Sequence, residues 1–565
     1  MMLLVFASAE HARAQNAPSQ PRIDLRQTEK TFDTLQTERK RAEKPALRLP
    51  RAPAPAPAPD SRPMFKLTSV SVVGASAISE ELIAETYRPH IGKKVSAADL
   101  AGIAGRISDL YRAAGYHLSR AIVPPQDAAG GRIRIQVIEG AVTEIALKGE
   151  HAEPFGIGPL LAPIAAERPS RLATMERQLL LANDRPGVRV ADTAVEEIGT
   201  ASGRFRLIVY LETWRIYTSV GLDNRGTPEV GPWQAYWSTA FNSYLVPGDT
   251  LAVNLSTIPD ATQELGFSRL LYEVPVGTSG VRLGATASYG EIWPGDERRD
   301  LDSHTRTETF EVRASMALLL TRRTSLWLTA AAAYSDVTEA DSLGLTYRDH
   351  IRTVSLTADY HLQDDLNGWN YLTTTFRQGV NVMGASEGDD DFLSRGDGSS
   401  NFSKLEFAYT RYQKLTDIWS LKFAAAGQWA STAMLASQEF YLGGPGFGRG
   451  YRSGELSGDN GLAASLELRF DQKLPSDIFK GYQLYGFVDH GAVWDFRNGP
   501  DERLTLSSAG AGARLYLANE LEAGIEVAAP LDYRSPSNQD RRSHLFFSIS
   551  KSFKFCPGSV RMHCG

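Results

Sequence analysis

The chain has 565 residues, 42% of them hydrophobic and 22% charged, with a formal net charge of -6. That is too apolar for a disordered chain and too polar for a bundle of membrane helices, and no apolar run reaches the roughly 18 residues of a spanning helix. The acidic balance offers no basic field for phosphates and argues against nucleic acid as a partner. The two cysteines, Cys556 and Cys564, lie in the last ten residues, which excludes a disulfide-stapled core, a thiolate zinc cluster or a nucleophilic cysteine in the body of the chain.

Residues 1–14 open with a short apolar stretch and close on Ala12-Arg13-Ala14 before Gln15, a pattern that resembles a signal-peptidase site. They are read as the remnant of a signal peptide whose start lies upstream. Residues 15–44 are polar, with Leu25, Phe32 and Leu35 as sparse apolar points, and predict one exposed helix. Residues 45–64 carry alternating Ala-Pro from Ala52 to Pro59, a semi-rigid polyproline spacer of about 3.1 Å per residue.

Residues 65–140 read β-α-α-β-β. Leu67 to Gly74 alternates, Ser79 and Ser96 are candidate N-caps, Gly115 stops the second helix, and Ile133, Ile135 and Val137 mark one face of the last strand. Residues 141–212 repeat that order, which predicts a tandem of two α+β modules. From residue 213 to 553 the period changes to two. Leu462, Ala464, Leu466, Leu468 and Phe470 alternate with Ala463, Ser465, Glu467 and Arg469. Charge on one face and hydrocarbon on the other fits a wet lumen and a lipid exterior.

Sixteen such segments are expected: 213–222, 233–244, 250–257, 263–273, 281–290, 306–320, 324–336, 347–363, 369–382, 401–414, 418–431, 460–472, 481–493, 505–516, 520–529 and 544–553. An even number of antiparallel strands closes a barrel with both ends on one side, and only a closed sheet satisfies its backbone in lipid. Tight connections such as Val274 to Gly277 and Thr321 to Arg323 alternate with long polar ones, including 293–305 and 387–400. The last strand ends on Phe553, and residues 554–565 form a tail whose two cysteines either close a small loop or stay free.

No catalytic set is found: there is no Gly-x-Ser-x-Gly elbow, His-Glu-x-x-His or phosphate loop, and no residue pattern calls for a cofactor or metal. Arg395-Gly396-Asp397 matches an integrin-binding tripeptide, but the match is three letters long and a solvated loop accounts for it. The longest break between strands, about 430–460, holds Gly443-Gly444-Pro445-Gly446-Phe447-Gly448-Arg449-Gly450-Tyr451. That stretch opens no helix, so it predicts a compact hairpin with Arg449 near its tip. Downstream, Tyr485, Phe487, Asp489 and Val493 share one parity. A carboxylate facing lipid is costly, so the strand either bulges or points Asp489 inward. If inward, Asp489 could meet Arg449 from a loop folded into the lumen. An exposed arginine and an unrelated lumen aspartate is the alternative, and spacing alone favours it.

Together these motifs resemble the two-partner secretion transporters, the hemolysin activation/secretion outer-membrane proteins. The resemblance covers about residues 23–553. Gly115, Tyr116, Ser119, Arg120, Pro124, Pro125 and Gln126 look typical of the family's first POTRA domain, as does Ile138-Glu139-Gly140 closing it. Arg449, Gly450 and Tyr451 match the family's sixth-loop motif, although the family usually has Val where Gly448 stands. Phe487, Asp489 and Gly491 match the Phe-x-Asp-x-Gly motif of the barrel wall.

The resemblance implies α+β periplasmic POTRA domains (65–140 and 141–212) followed by an all-β transmembrane barrel of 16 antiparallel strands. It implies a plug helix in 15–44, an Arg449–Asp489 pair, and an exporter of one unfolded, large β-helical hemolysin or adhesin. The implied partners are that secreted protein, through its N-terminal secretion domain, outer-membrane lipid, and the barrel assembly machinery that reads the last strand. An assembly or insertion factor of the same superfamily is the alternative.

Overall fold

The computed structural model describes residue 32 and residues 60–149, 153–227, 229–388, 390–532 and 542–555. The expected signal remnant, most of the expected helix and linker, and both cysteines lie outside the described residues.

The first module opens with β1 (Pro63–Lys66), β2 (Ser69–Val73), α1 (Glu80–Tyr87), β3 (Lys94–Ser96) and α2 (Ala97–Ala113), and closes with β4 (Arg120–Ile122) and β5 (Arg132–Ile138). α2 begins where its sequence signal lies. Ser96 Oγ accepts the Asp99 N–H at 3.1 Å, and the Asp99 carboxylate accepts the Ser96 N–H at 2.8 Å. The helix buries Leu100, Ile103, Ala104, Ile107 and Tyr111, an i, i+3, i+4, i+7 stripe, against Leu67, Ile83, Ile133, Ile135 and Val137. Each large side chain so buried contributes about 1.5–3 kcal/mol. β2 runs parallel to β5, and β4 pairs antiparallel with β5. The β1–β3 pair was not expected from the sequence, and it carries regular structure back to Pro63, inside the expected linker.

The second module holds β6 (Ala141–Lys148), α3 (Ile157–Ala166), α4 (Leu172–Asn183), β7 (Val188–Glu197) and β8 (Arg204–Thr213). Its strand order β6-β8-β7 repeats the order β2-β5-β4, parallel pair first. α4 docks on the barrel rim. Arg177 Nη2 donates to the carbonyls of Ser279 (2.9 Å) and Ala317 (2.6 Å), and the Arg322 N–H donates to Glu176 Oε1 at 2.6 Å. The apolar core of this module continues through Leu181 into Ala317 and Leu320.

Among the described residues, sixteen antiparallel strands close a barrel. They are β9 (Ile216–Asp223), β10 (Gln234–Asn242), β11 (Thr250–Thr257), β12 (Leu265–Val276), β13 (Val281–Ile292), β14 (His304–Leu320), β15 (Thr324–Asp341), β16 (Gly344–Gln363), β17 (Gly368–Gly379), β18 (Ser403–Lys414) and β19 (Trp419–Ala430), then β22 (Asn460–Lys473), β23 (Phe479–Trp494), β24 (Leu504–Leu517), β25 (Leu521–Pro530) and β26 (His544–Phe555). Between β19 and β22 a short hairpin, β20 (Phe440–Leu442) and β21 (Leu456–Gly458), lies outside the barrel sheet. β26 pairs with β9 and closes the wall.

The first strand begins at Ile216 instead of residue 213, and the last runs two residues past Phe553. β12 runs through Pro275 to Val276, where a turn was expected. Its pairing with β11 ends at Glu273, so the missing proline N–H leaves no ladder bond unmade on that side. Alternation holds along the wall: Leu462, Leu466 and Leu468 are exposed outward, while Ala463, Ser465 and Glu467 are buried inward. Connections on the module side are three to seven residues long, whereas 380–402 and 431–459 are the long ones opposite.

Candidate functional site in the barrel lumen

β23 carries no bulge between Gln483 and Val493, so strict alternation aims Tyr485, Phe487, Asp489 and Gly491 into the barrel. Register then sets Asp489 between Ser465 on β22 and Ser508 on β24, and Phe487 beside Glu467. Acceptors on this inner wall receive a further cation from the sixth outer loop, residues 431–459, which folds back into the lumen.

The Arg449 guanidinium makes a fork on Asp489, with Nε to Oδ2 at 3.0 Å and Nη2 to Oδ1 at 2.9 Å. Nη1 donates to Glu467 Oε2 at 2.6 Å, and Nη2 also donates to Ser465 Oγ at 3.0 Å. Beneath it lies the Phe487 ring, with Arg449 Cζ 3.4 Å from the centroid. The backbone joins in: the N–H groups of Gly448 and Arg449 both donate to Asp489 Oδ2, at 3.2 and 3.0 Å. Arg449 is 6% exposed and Asp489 0%, so this is a fully desolvated pair and not a rim contact. Around it, Arg469 and Arg514 hold Glu467 Oε1, and Glu526 accepts from Tyr485 and Arg225. Four inward arginines thus face three inward carboxylates.

The neighbouring residues of the motif shape the tip. Gly448 sits at φ +85°, and a Cβ there would lie 2.5 Å from Leu506 Cδ1. A β-branched valine would be strained at this backbone angle. Gly450 lies so close to β25 that a Cβ would stand 2.6–2.8 Å from the backbone of Ala529 and Pro530. Tyr451 is buried, and its hydroxyl donates to Asp532 at 3.2 Å. Gly491 faces Leu442 of the same loop.

The sequence singled out Arg449 and Asp489 but not the rest of the cage. Glu467 was placed on the lumen face by alternation, yet nothing linked it to Arg449. Ser465 shares that face, but neither it nor Ser508 and Glu526 carried a signal toward Arg449, because their role depends on strand register.

The residues singled out in the first module lie elsewhere, and they join modules more than they form a pocket. Gly115 (φ +91°) ends α2, and its carbonyl accepts the Leu172 N–H of the second module at 2.9 Å. Arg171 of that module donates to the Tyr116 hydroxyl through Nε at 3.2 Å and Nη2 at 3.0 Å. Arg120 pairs with Glu197 at 2.9 Å, and Ser119 Oγ accepts the Gly140 N–H at 3.0 Å. Pro124 and Pro125 carry the chain away from β4. Gln126 then replaces the lost strand: its Nε2 donates to the Arg134 carbonyl (2.7 Å) and its Oε1 accepts the Arg134 N–H (2.8 Å).

Phe32, the one described residue of 15–44, is helical and 3% exposed. It packs with Val230, Ile258, Leu265, Phe267 and Ile292. Its ring stacks on Phe267 at 5.9 Å and meets Tyr236 edge-on at 5.8 Å. Leu265, Phe267 and Arg269 are the buried, inward residues of β12, so Phe32 rests on the inner wall.

Arg395 of the Arg-Gly-Asp tripeptide is not displayed to solvent. Its guanidinium is held by Glu439 and Asp459 at 2.6 and 2.7 Å.

Comparison with known proteins places the chain in a family. The model of the haemolysin secretion/activation proteins ShlB/FhaC/HecB matches residues 208–515, and that of the ShlB-type POTRA domain matches residues 65–140. The chain is 26% identical over 507 residues to the heme/hemopexin transporter protein HuxB of Haemophilus influenzae, covering 86% of this chain and 87% of the relative. It is 23% identical over 506 residues to the outer membrane transporter CdiB of Escherichia coli, covering 84% and 81%. The solved structure of CdiB from Escherichia coli superposes with a TM-score of 0.75 at 20% identity, covering 94% of this chain and 97% of that one.

Proposed function

The chain belongs to the haemolysin secretion/activation protein family, and from that premise we propose how its parts work. It is an outer-membrane transporter of two-partner secretion, with a POTRA region in the periplasm and a secreted protein as its partner. The cargo we assign to it is an unfolded, large β-helical protein of hemolysin or adhesin type, recognised through an N-terminal secretion domain.

Residues 141–212 serve as a second POTRA domain, a reading supported by their repeat of the first module's strand order. The pair captures the cargo by strand addition. β2 and β4 are the two edges of the first sheet, and β2, the longer of them, is the edge we assign to the cargo. Residues 15–44 act as a plug, a role supported by Phe32 on the inner wall. The outward apolar belt meets lipid, and the alternating β26, with its aromatic residues, is the segment offered to the barrel assembly machinery.

The Arg449 cage carries the reading. A guanidinium fixed by two carboxylates and a ring keeps the sixth loop inside the conduit, where it stabilises the wall and narrows the path. Conductance of the purified protein in a planar bilayer, with and without residues 15–60, tests the arrangement. Large, steady currents only after deletion support a plugged exporter. Equal currents remove the plug and leave the loop as the sole gate, and no current in either points to an assembly factor or to a lumen that the loop keeps shut.

A further inference from the structure

The sixth loop is held at two places, and only its tip has a role so far. Its two ends, near Met434 and Asp459, are gathered at the outer rim by a second buried charge. Asp459 is 0% exposed, and three different segments converge on its carboxylate. Oδ1 accepts the Met434 N–H at 2.8 Å, from the start of the loop. Oδ2 accepts the Phe496 N–H at 2.9 Å, from the connection between β23 and β24. Oδ1 also takes Arg395 Nη1 at 2.7 Å, from the connection between β17 and β18.

Arg395 bridges further. Nη1 reaches Glu439 Oε1 at 2.6 Å, Nε lies 3.3 Å from Asp397, and Nη2 lies 3.9 Å from Asp495. The backbone follows the same path. The Ala436 N–H donates to Ser394 Oγ at 3.0 Å, and the Ser399 N–H donates to the Ala433 carbonyl at 3.0 Å. Met434 and Leu435 close the space beneath with Ile351 and Phe402.

We propose that Arg395 is a second positioning residue for the sixth loop, a latch that clamps its neck to the fifth and seventh outer connections independently of Arg449 at the tip. Its geometry suits a fixed hinge. One guanidinium satisfies a carboxylate from each end of the loop, so the neck stays closed whichever way the tip moves. Removing Arg395 leaves Asp459 buried with two N–H donors but without its cation, and takes the cation from Glu439 as well, so the neck should open. The inference rests neither on the plug nor on the identity of the cargo.

The test is accessibility of the neck in the full-length protein in whole cells. Ala436, buried under the latch, is changed to Cys, and its labelling by a membrane-impermeant maleimide is compared with the same protein lacking that change. In the Arg395→Ala background the labelling rate should rise at least tenfold, while the barrel keeps its heat-modifiable migration. In the Arg449→Ala background it should stay within about twofold. If Arg395→Ala fails to insert, Arg395→Lys keeps the charge but loses the fork and should give an intermediate rate. Labelling unchanged in a folded Arg395 variant, or raised equally by Arg449→Ala, overturns the latch.

Discussion

The first POTRA module and the barrel lumen are held together by opposite means. In the module, Ile103, Ile107 and Ile135 are fully buried among other hydrocarbon side chains. In the lumen, apolar loop residues such as Leu442 are also buried, but the tip of the sixth loop is fixed by a buried guanidinium, two carboxylates and a serine. Apolar contacts are non-directional, so loss of one side chain lowers stability in proportion to what is removed. A buried ion cage is directional, and loss of one member strands the others in a low dielectric. The difference is that truncation weakens the module in proportion to what is removed, whereas loss of one ion unbalances the whole cage.

The sharpest way to break this contrast is Arg449→Ala. It leaves Asp489 without its cation, while Glu467 keeps Arg469 and Arg514, and should cost the loop about 3–5 kcal/mol of local stability. Export of the partner should fall to background while the barrel still inserts. Secretion into the medium and heat-modifiable migration check the two halves, and full export by this variant would sink the role assigned to the cage.

In the apolar half, Ile107→Ala should destabilise the first module by about 2–5 kcal/mol with no change in the barrel. Limited proteolysis of the whole protein would show cleavage between residues 60 and 140 ahead of any barrel fragment. Arg177→Ala probes the seam between the halves. It removes two bonds to rim carbonyls, so a loss of about 1–3 kcal/mol is expected, read as faster proteolysis at the second module's junction.

The smallest effect concerns Glu139, a half-buried carboxylate bonded to Tyr111 of the first module's core. Burial pushes the Glu139 carboxyl up, but bonds from Ser76, Tyr111 and the Ala77 N–H outweigh it and hold it below its ordinary value. Such a group binds protons less readily folded than unfolded. Its contribution is therefore complete above the unfolded value of about 4.3 and is lost as pH falls through the lower folded value. Proteolytic resistance of the native module should decline below about pH 4.5, and Glu139→Gln should flatten that decline.

Some of this was legible in residues alone. The wall from Leu462 to Phe470 alternates because successive strand side chains point to opposite faces, a local rule that needs no partner. β1 and β3 were illegible for the same reason: four and three residues give no period to read, and their pairing is made across 30 positions of chain. Pro275 read as a turn because its missing N–H is tolerated only where the neighbouring strand has already ended, and that is a fact of register.

What the sequence determined by itself is the periodic part: two α+β modules, sixteen spanning strands, and an arginine and an aspartate with a family likeness. The tertiary structure decided where the glycine-rich loop goes. It turned Arg449 onto Asp489, supplied Glu467 and Ser465 from another strand, and drew Arg395 out of solvent onto Asp459. The physical reason is range. Strand alternation follows from sterics between neighbours, whereas a loop without periodicity is placed by charges and close approaches between residues dozens of positions apart, which become neighbours only once the barrel has closed.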